Sequence, residues 1–159
     1  MSTGSVALVP RPTGFVPAPE RIEAGVALLE ATAAGAVRVV RHRGIELFDC
    51  GENFSGVLCP HCGAEIDDSR WGDMMSADYV ATSKSSLPDE GETGFQLKAF
   101  ALPCCGKTAS VDQLAYRWPM AFGRFGLVIE RRDAVPGDGD LERLEAALGC
   151  ELTMVEGHW

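Results

Sequence analysis

The chain has 159 residues, 46% of them apolar and 23% charged, and a net charge of −9. That length supports a core of its own and predicts a single domain over 1–159, one that needs no staple merely to fold. No apolar run approaches the roughly 18 residues of a membrane span, and the acidic balance is a poor electrostatic match to nucleic acid, whose binding usually needs a basic face.

The N-terminus, Met1-Ser2-Thr3-Gly4-Ser5, has neither the basic region nor the apolar segment of a signal peptide, so a cytoplasmic location is expected. Thiols stay reduced there, and six cysteines then point to metal binding or redox chemistry before structural disulfides. Charge is unevenly spread. Residues 1–45 carry five basic and three acidic side chains, whereas residues 46–100 carry three basic and eleven acidic ones. An acidic middle segment suits solubility, or a partner with a basic surface.

In chain order, Val6 to Val9 reads as a short strand before Pro10 and Pro12. Pro19 then opens a helix in which Ile22, Val26, Leu29 and Ala33 recur at helical spacing, with Glu20 and Glu23 at the positive end of its dipole and Gly35 at its close. Val37 to Val40 and Ile45 to Phe48 read as two strands of a hairpin turning at Arg43-Gly44. Asp49 to Gly56 is polar and predicts a loop. Trp71, Met74, Met75 and Tyr79 predict a helix over 70–80, and the polar stretch from Thr82 to Gly94 predicts a mobile loop. Phe95, Leu97 and Ala99 alternate with polar residues, as in a half-buried strand. Ser110 to Gln113 fits a capping box that opens a helix carrying Val111, Leu114 and Ala115 and stopped by Trp118-Pro119. Phe125 to Ile129 is an apolar strand, Pro136 to Gly139 a turn, Leu141, Leu144 and Leu148 one face of a helix closed by Gly149, and Leu152 to Val155 a last strand.

Glu20-Arg21-Ile22-Glu23-Ala24 is echoed by Glu142-Arg143-Leu144-Glu145-Ala146. Both ends of the chain thus read strand–helix–strand. Two such units around one sheet predict an α+β fold with a ferredoxin-like sheet, and a metal-clipped insertion over 50–110 between its halves.

The distinctive chemistry lies in Cys59-Pro60-His61-Cys62-Gly63 and Pro103-Cys104-Cys105-Gly106. Cys-Pro-X-Cys-Gly presents two sulfurs from one tight turn, with glycine free to take the left-handed conformation. Four thiols match the tetrahedral demand of Zn2+. The second turn departs from the pattern, because the regular partner of Cys105 is residue 102, a leucine, and the thiol offered is the adjacent Cys104. Cys59, Cys62, Cys104 and Cys105 are the expected ligands, with His61, Cys50 and His42 as replacements for Cys104. The 42 residues between Cys62 and Cys105 exceed ordinary ribbon spacing, so the site clips a long excursion.

Cys59-Pro-His-Cys62 also resembles the active site of oxidising thioredoxin-fold proteins, but that chemistry needs the first cysteine to open a long helix, and Gly63 follows at once. A zinc deaminase pattern fails in both halves: His61 and Glu65 are four apart, and Pro103-Cys104-Cys105 lacks the spacer. Cys50 and Cys150 read as small buried hydrophobes, His158 as a surface residue, and Asp67-Asp68 as loop and capping charge. No Ser/His/Asp grouping, phosphate loop or carboxylate pair stands out. In Tyr116 to Phe125 the aromatics read as core under the metal turns, while Arg117, Trp118 and Arg124 are candidates for anchoring a protein partner.

The succession of the CPHCG turn, Leu102-Pro-Cys-Cys105-Gly, Trp118-Pro119 and Phe122-Gly-Arg124-Phe125 resembles a group of small bacterial proteins with CPxCG, LPCCG and WP…FGRF-like motifs. The resemblance spans residues 54–130. It implies a zinc-ribbon-type site in a bacterial cytoplasmic protein, and it implies no activity. The expectation is a non-enzymatic domain, stabilised by structural Zn2+, that binds another protein as an adaptor or immunity-type neutraliser. The alternatives are a thiol–disulfide oxidoreductase using Cys59 and Cys62, and a zinc-ribbon nucleic-acid-binding protein.

Overall fold

The computed structural model describes residues 4–33, 36–81, 93–130 and 136–159. Strand β1 (Gly4–Pro10) leads to helix α1 (Pro19–Ala33) and strand β2 (Val37–Phe48). After a long excursion the frame resumes with β10 (Ala121–Ile129), helix α3 (Asp138–Leu148) and β11 (Leu152–His158). These four strands stand in the order β11-β1-β10-β2, each antiparallel to its neighbour. That is the ferredoxin-like order expected from two strand–helix–strand units.

The helices follow from their apolar spacing and their ends. Ile22 and Leu29 of α1 and Leu144 and Leu148 of α3 are buried against Leu8, Phe125, Leu127, Ile129 and Leu152 of the sheet. Each such side chain contributes about 1.5–3 kcal/mol by leaving water. The two helices pack closely because Gly25 has no side chain: a Cβ there would lie 2.8 Å from Leu148 Cδ2. Gly149 closes α3 in the left-handed conformation, as the sequence predicts. The predicted turn at 136–139 is shorter than expected, since α3 already begins at Asp138. The end assigned to Gly35 and the loop at 82–94, as far as residue 92, lie outside the described residues.

The hairpin predicted at Arg43-Gly44 does not form. β2 runs unbroken from Val37 to Phe48, and its register against β10 jumps, with Arg41 opposite Phe125 and Glu46 opposite Gly123. The turn-forming residues fall in this bulge. Gly44 there lies against the backbone of Thr93, where a Cβ would come within 1.8 Å of the carbonyl oxygen. Ile45 pairs in parallel with Gly94 of β6 (Gly94–Phe95), which pairs in turn with β5 (Tyr79–Val80).

Two short hairpins of the excursion carry the cysteine turns. β3 (Val57–Leu58) pairs with β4 (Glu65–Ile66), and β7 (Phe100–Ala101) with β8 (Thr108–Ala109). Helix α2 (Asp68–Asp78) follows the first hairpin, capped by the Asp67 carboxylate, which accepts the Arg70 N–H at 2.8 Å. Its tail is shorter than predicted, because Tyr79 already belongs to β5. The strand predicted over Phe95 to Ala99 is broken: Leu97 adopts φ 56°, and the N–H groups of Leu97 and Lys98 both donate to the fully buried Asp78 carboxylate at 2.9 Å. The helix predicted from Val111 is a single 3-10 turn over Val111–Gln113, after which β9 (Ala115–Tyr116) joins β3. The Gln113 side chain accepts the Ser110 N–H at 3.0 Å, and the expected capping box is present but opens only that one turn. Among the described residues no helix is long and apolar enough to cross a membrane.

Candidate metal centre

Two six-residue turns face each other at the tips of the hairpins. In the first, β3 to β4, Cys59 N–H donates to Ala64 O at 2.8 Å and Gly63 N–H to Cys59 O at 3.0 Å. In the second, β7 to β8, Leu102 N–H donates to Lys107 O at 2.8 Å and Gly106 N–H to Leu102 O at 2.8 Å. Gly63 and Gly106 take matching φ of 77° and 74°, a conformation that carries a strain cost for residues with a Cβ. The turns are therefore equivalent residue for residue: Leu102 stands where Cys59 stands, Cys104 where His61 stands, and Cys105 where Cys62 stands.

The Sγ atoms of Cys59, Cys62, Cys104 and Cys105 all lie within 4.8 Å of one another, a set that can hold a metal ion. Cys59 and Cys105 are 3.8 Å apart. A tetrahedron with Zn–S bonds of about 2.3 Å has S···S edges of about 3.8 Å, so this pair already has the required spacing. Cys59 is buried, while Cys62, Cys104 and Cys105 are exposed. The Cys59 sulfur accepts the N–H groups of His61 at 3.4 Å and Cys62 at 3.5 Å. Burial works against charge on Cys59, but the backbone donors of Cys62 and His61 and the thiols of Cys104 and Cys62 outweigh it, and its pKa is lowered to about 6. Cys104 is pushed the other way, to about 12, by its bond to Cys62, by burial and by its bonds to Cys59 and Cys105. The site favours one thiolate surrounded by thiol donors, and a cation can replace those protons.

None of the three substitute ligands belongs to this set. His61 reaches across to the second hairpin, its Nε2–H donating to Thr108 O at 2.9 Å. His42 packs its ring beside Phe48, and Cys50 is buried among Val9, Met120 and Ala121. Cys150 is half-buried next to the α1–α3 core, and burial and the Glu145 charge push its thiol up. His158 is more enclosed than a surface residue, with 20% side-chain exposure and Nδ1 3.4 Å from the Glu52 carboxylate. Cys59 lies in a hairpin turn and not at a helix N-terminus, so the helical setting of a thioredoxin-like cysteine is missing.

The aromatic segment supports the turns from below. Trp71 Nε1–H donates to Tyr116 Oη at 3.1 Å, whose own hydroxyl donates to Val111 O at 2.7 Å. Phe54 stacks on Trp71, and Phe122 meets Tyr116 and Phe95. Val57, Cys59, Leu102, Val111 and Leu114 join this core. Of the predicted partner anchors, Arg117 and Trp118 are adjacent and exposed, and Trp118 Nε1–H donates to Glu156 O at 2.8 Å. Arg124 is half-buried at the register shift of β10, on a different element. Sequence reasoning missed three contributors: Leu102 as the inner residue of the second turn, His61 as a strut between the turns, and Asp78 as the anchor of residues 97–98. Comparison with protein families, with curated proteins and with solved structures gives no match.

Proposed function

We propose that this chain is a zinc-stabilised, non-enzymatic domain that acts by binding another protein, with Cys59, Cys62, Cys104 and Cys105 as structural ligands in a zinc-ribbon-type arrangement. The observation that carries this reading is the convergence of four sulfurs from two equivalent glycine-closed turns. Thiolates in a tetrahedron select Zn2+ among common divalent ions, and four of them leave no position open for a reacting water. The reading fits a bacterial cytoplasm, where thiols remain reduced. A net charge of −9 suits a partner with a basic surface, and exposed Trp118 beside Arg117 supplies the residue types that dominate binding hot spots.

Metal analysis of protein purified without added zinc is expected to give about one equivalent, and Cys105→Ser to lose it. Structural zinc contributes folding free energy directly, so the variant's melting temperature falls by at least about 10 °C. Less than about half an equivalent in the wild type, or a variant that keeps both metal and melting temperature, overturns the site. For the partner, metal-loaded protein serves as bait in a lysate of the native host. Trp118→Ala is expected to retain metal and weaken capture about tenfold or more; equal capture removes Trp118 from the interface.

A further inference from the structure

The four sulfurs are unequally protected. Cys59 is 2% exposed and receives two backbone N–H groups. In the second turn the N–H groups of Cys104 and Cys105 occupy the corresponding places, but the side chain they flank is that of Leu102, which has no acceptor; the Cys105 N–H goes to the Leu102 carbonyl at 3.4 Å. N–H bonds draw electron density from a thiolate and lower its nucleophilicity, as hydrogen bonds around other metal ligands tune them. Cys62, Cys104 and Cys105 are exposed; Cys105 lies 3.8 Å from the buried Cys59, which leaves Cys62 and Cys104 as the outward pair, one on each turn, with sulfurs within 4.8 Å of each other.

We propose that the site is an oxidation switch, in which a peroxide joins Cys62 and Cys104 in a disulfide across the two turns and releases the metal. This rests on the metal-site reading above. With a cation in place of its proton Cys104 is a thiolate, and it attacks one peroxide oxygen: an S–O bond forms, the O–O bond breaks, and the departing hydroxide takes a proton to become water. The Cys62 thiolate then attacks the sulfenic sulfur, an S–S bond forms, the S–O bond breaks, and a second hydroxide leaves and is protonated to water. In sum, two thiolates, one hydrogen peroxide and two protons give one disulfide and two waters, with sulfur oxidised and peroxide reduced. Only Cys59 and Cys105 would then remain to hold an ion, too few to retain it. A thiol reductant returns both thiolates.

The test uses the full chain as purified, its metal content measured first and Cys150→Ser run in parallel to exclude exchange between molecules. Hydrogen peroxide is titrated in while a chromogenic chelator reports free metal, and linked peptides are mapped by mass spectrometry after alkylation. The expected result is one metal released per disulfide, the Cys62–Cys104 link dominant, full rebinding after dithiothreitol, and the same response in Cys150→Ser. Metal lost while Cys62 and Cys104 still alkylate overturns the proposal. So does a dominant Cys59–Cys62 link, or retention of metal at peroxide levels that oxidise the unfolded chain. Absence of metal at the outset overturns the metal-site reading alone, and mapping in that metal-free protein then decides the Cys62–Cys104 link separately.

Discussion

Leu102 explains why the second turn carries its thiols side by side. At the inner place of that turn it is 1% exposed and joins Val57, Val111 and Leu114 in the core. An apolar residue there adds about 1.5–3 kcal/mol of burial to a hairpin too short to hold itself together. The lost ligand is supplied from the place that His61 fills in the first turn, which frees His61 to brace Thr108. Cys59, by contrast, keeps the inner place as a sulfur and is the thiol most readily ionised, its pKa lowered from the ordinary 9.0 to about 6. A thiol that ionises more easily in the folded site than in the open chain stabilises the fold fully above that ordinary value. The contribution falls away as pH drops through about 6. Metal binding requires the same deprotonation, so occupancy is expected to hold at about pH 7.5 and to be lost progressively below about pH 6. Competition with a chelator of known pH dependence checks this; unchanged occupancy at about pH 5 contradicts it.

At the scale of elements, one buried carboxylate decides where a strand stops. Asp78 ends α2, is fully buried, and receives the N–H groups of Leu97 and Lys98. Two charge-assisted bonds outweigh the cost of holding Leu97 at φ 56° and turn the chain out of the extended path that its alternating pattern predicts. Asp78→Asn keeps one acceptor but sets an amide N–H2 against a backbone N–H. The expected loss is about 2 kcal/mol, read as a lower urea midpoint and about 5 °C in melting temperature. A change below about 0.5 kcal/mol would show that solvent satisfies those N–H groups. This contact also marks what the sequence leaves hidden. α1, α3 and the apolar strands are legible because their period repeats locally: Ile22 and Leu29, Leu144 and Leu148 report their own face. The break at Leu97 depends on a residue 19 positions away. The bulge in β2 depends on Thr93 and Gly94 pressing on Gly44 and Ile45, so a genuine turn signal was spent on a kink within one strand. The cysteine turns were legible as ligands because Cys-Pro-X-Cys-Gly is a local pattern, whereas their equivalence rests on hairpin pairings of two residues each.

For the whole molecule, the sheet frame and the excursion rely on different sources of stability. The frame is closed by α1 and α3 over Leu8, Phe125, Leu127 and Ile129, with none of the four clustered thiols in that core. The excursion leaves after Phe48 and returns at Ala121, and its hairpins are two residues long on each strand. Such pairs are not stable alone, so the core around Trp71 and Tyr116, together with any ion held by the four thiols, must hold them. Ile45, Leu47 and Phe122 connect that core to the sheet, and Phe54, Trp71 and Tyr116 also pack against the cluster of Ala7, Val9, Val128 and Val155, apart from the core under α1 and α3. Removing the metal is therefore expected to open the excursion while the frame stays folded, as a cooperative unit of lower stability opens within a larger one. Hydrogen exchange read by mass spectrometry tests this on metal-loaded and metal-stripped protein. Amides of 57–66 and 100–109 should lose protection by about a hundredfold or more, equivalent to about 3 kcal/mol of local stability, while those of β1 and of 125–129 in β10 change little. Equal loss along the whole chain would mean that the frame cannot stand without the clip. Unchanged protection in the two hairpins would mean that the aromatic core holds the turns and that the four thiols are organised in advance of any ion.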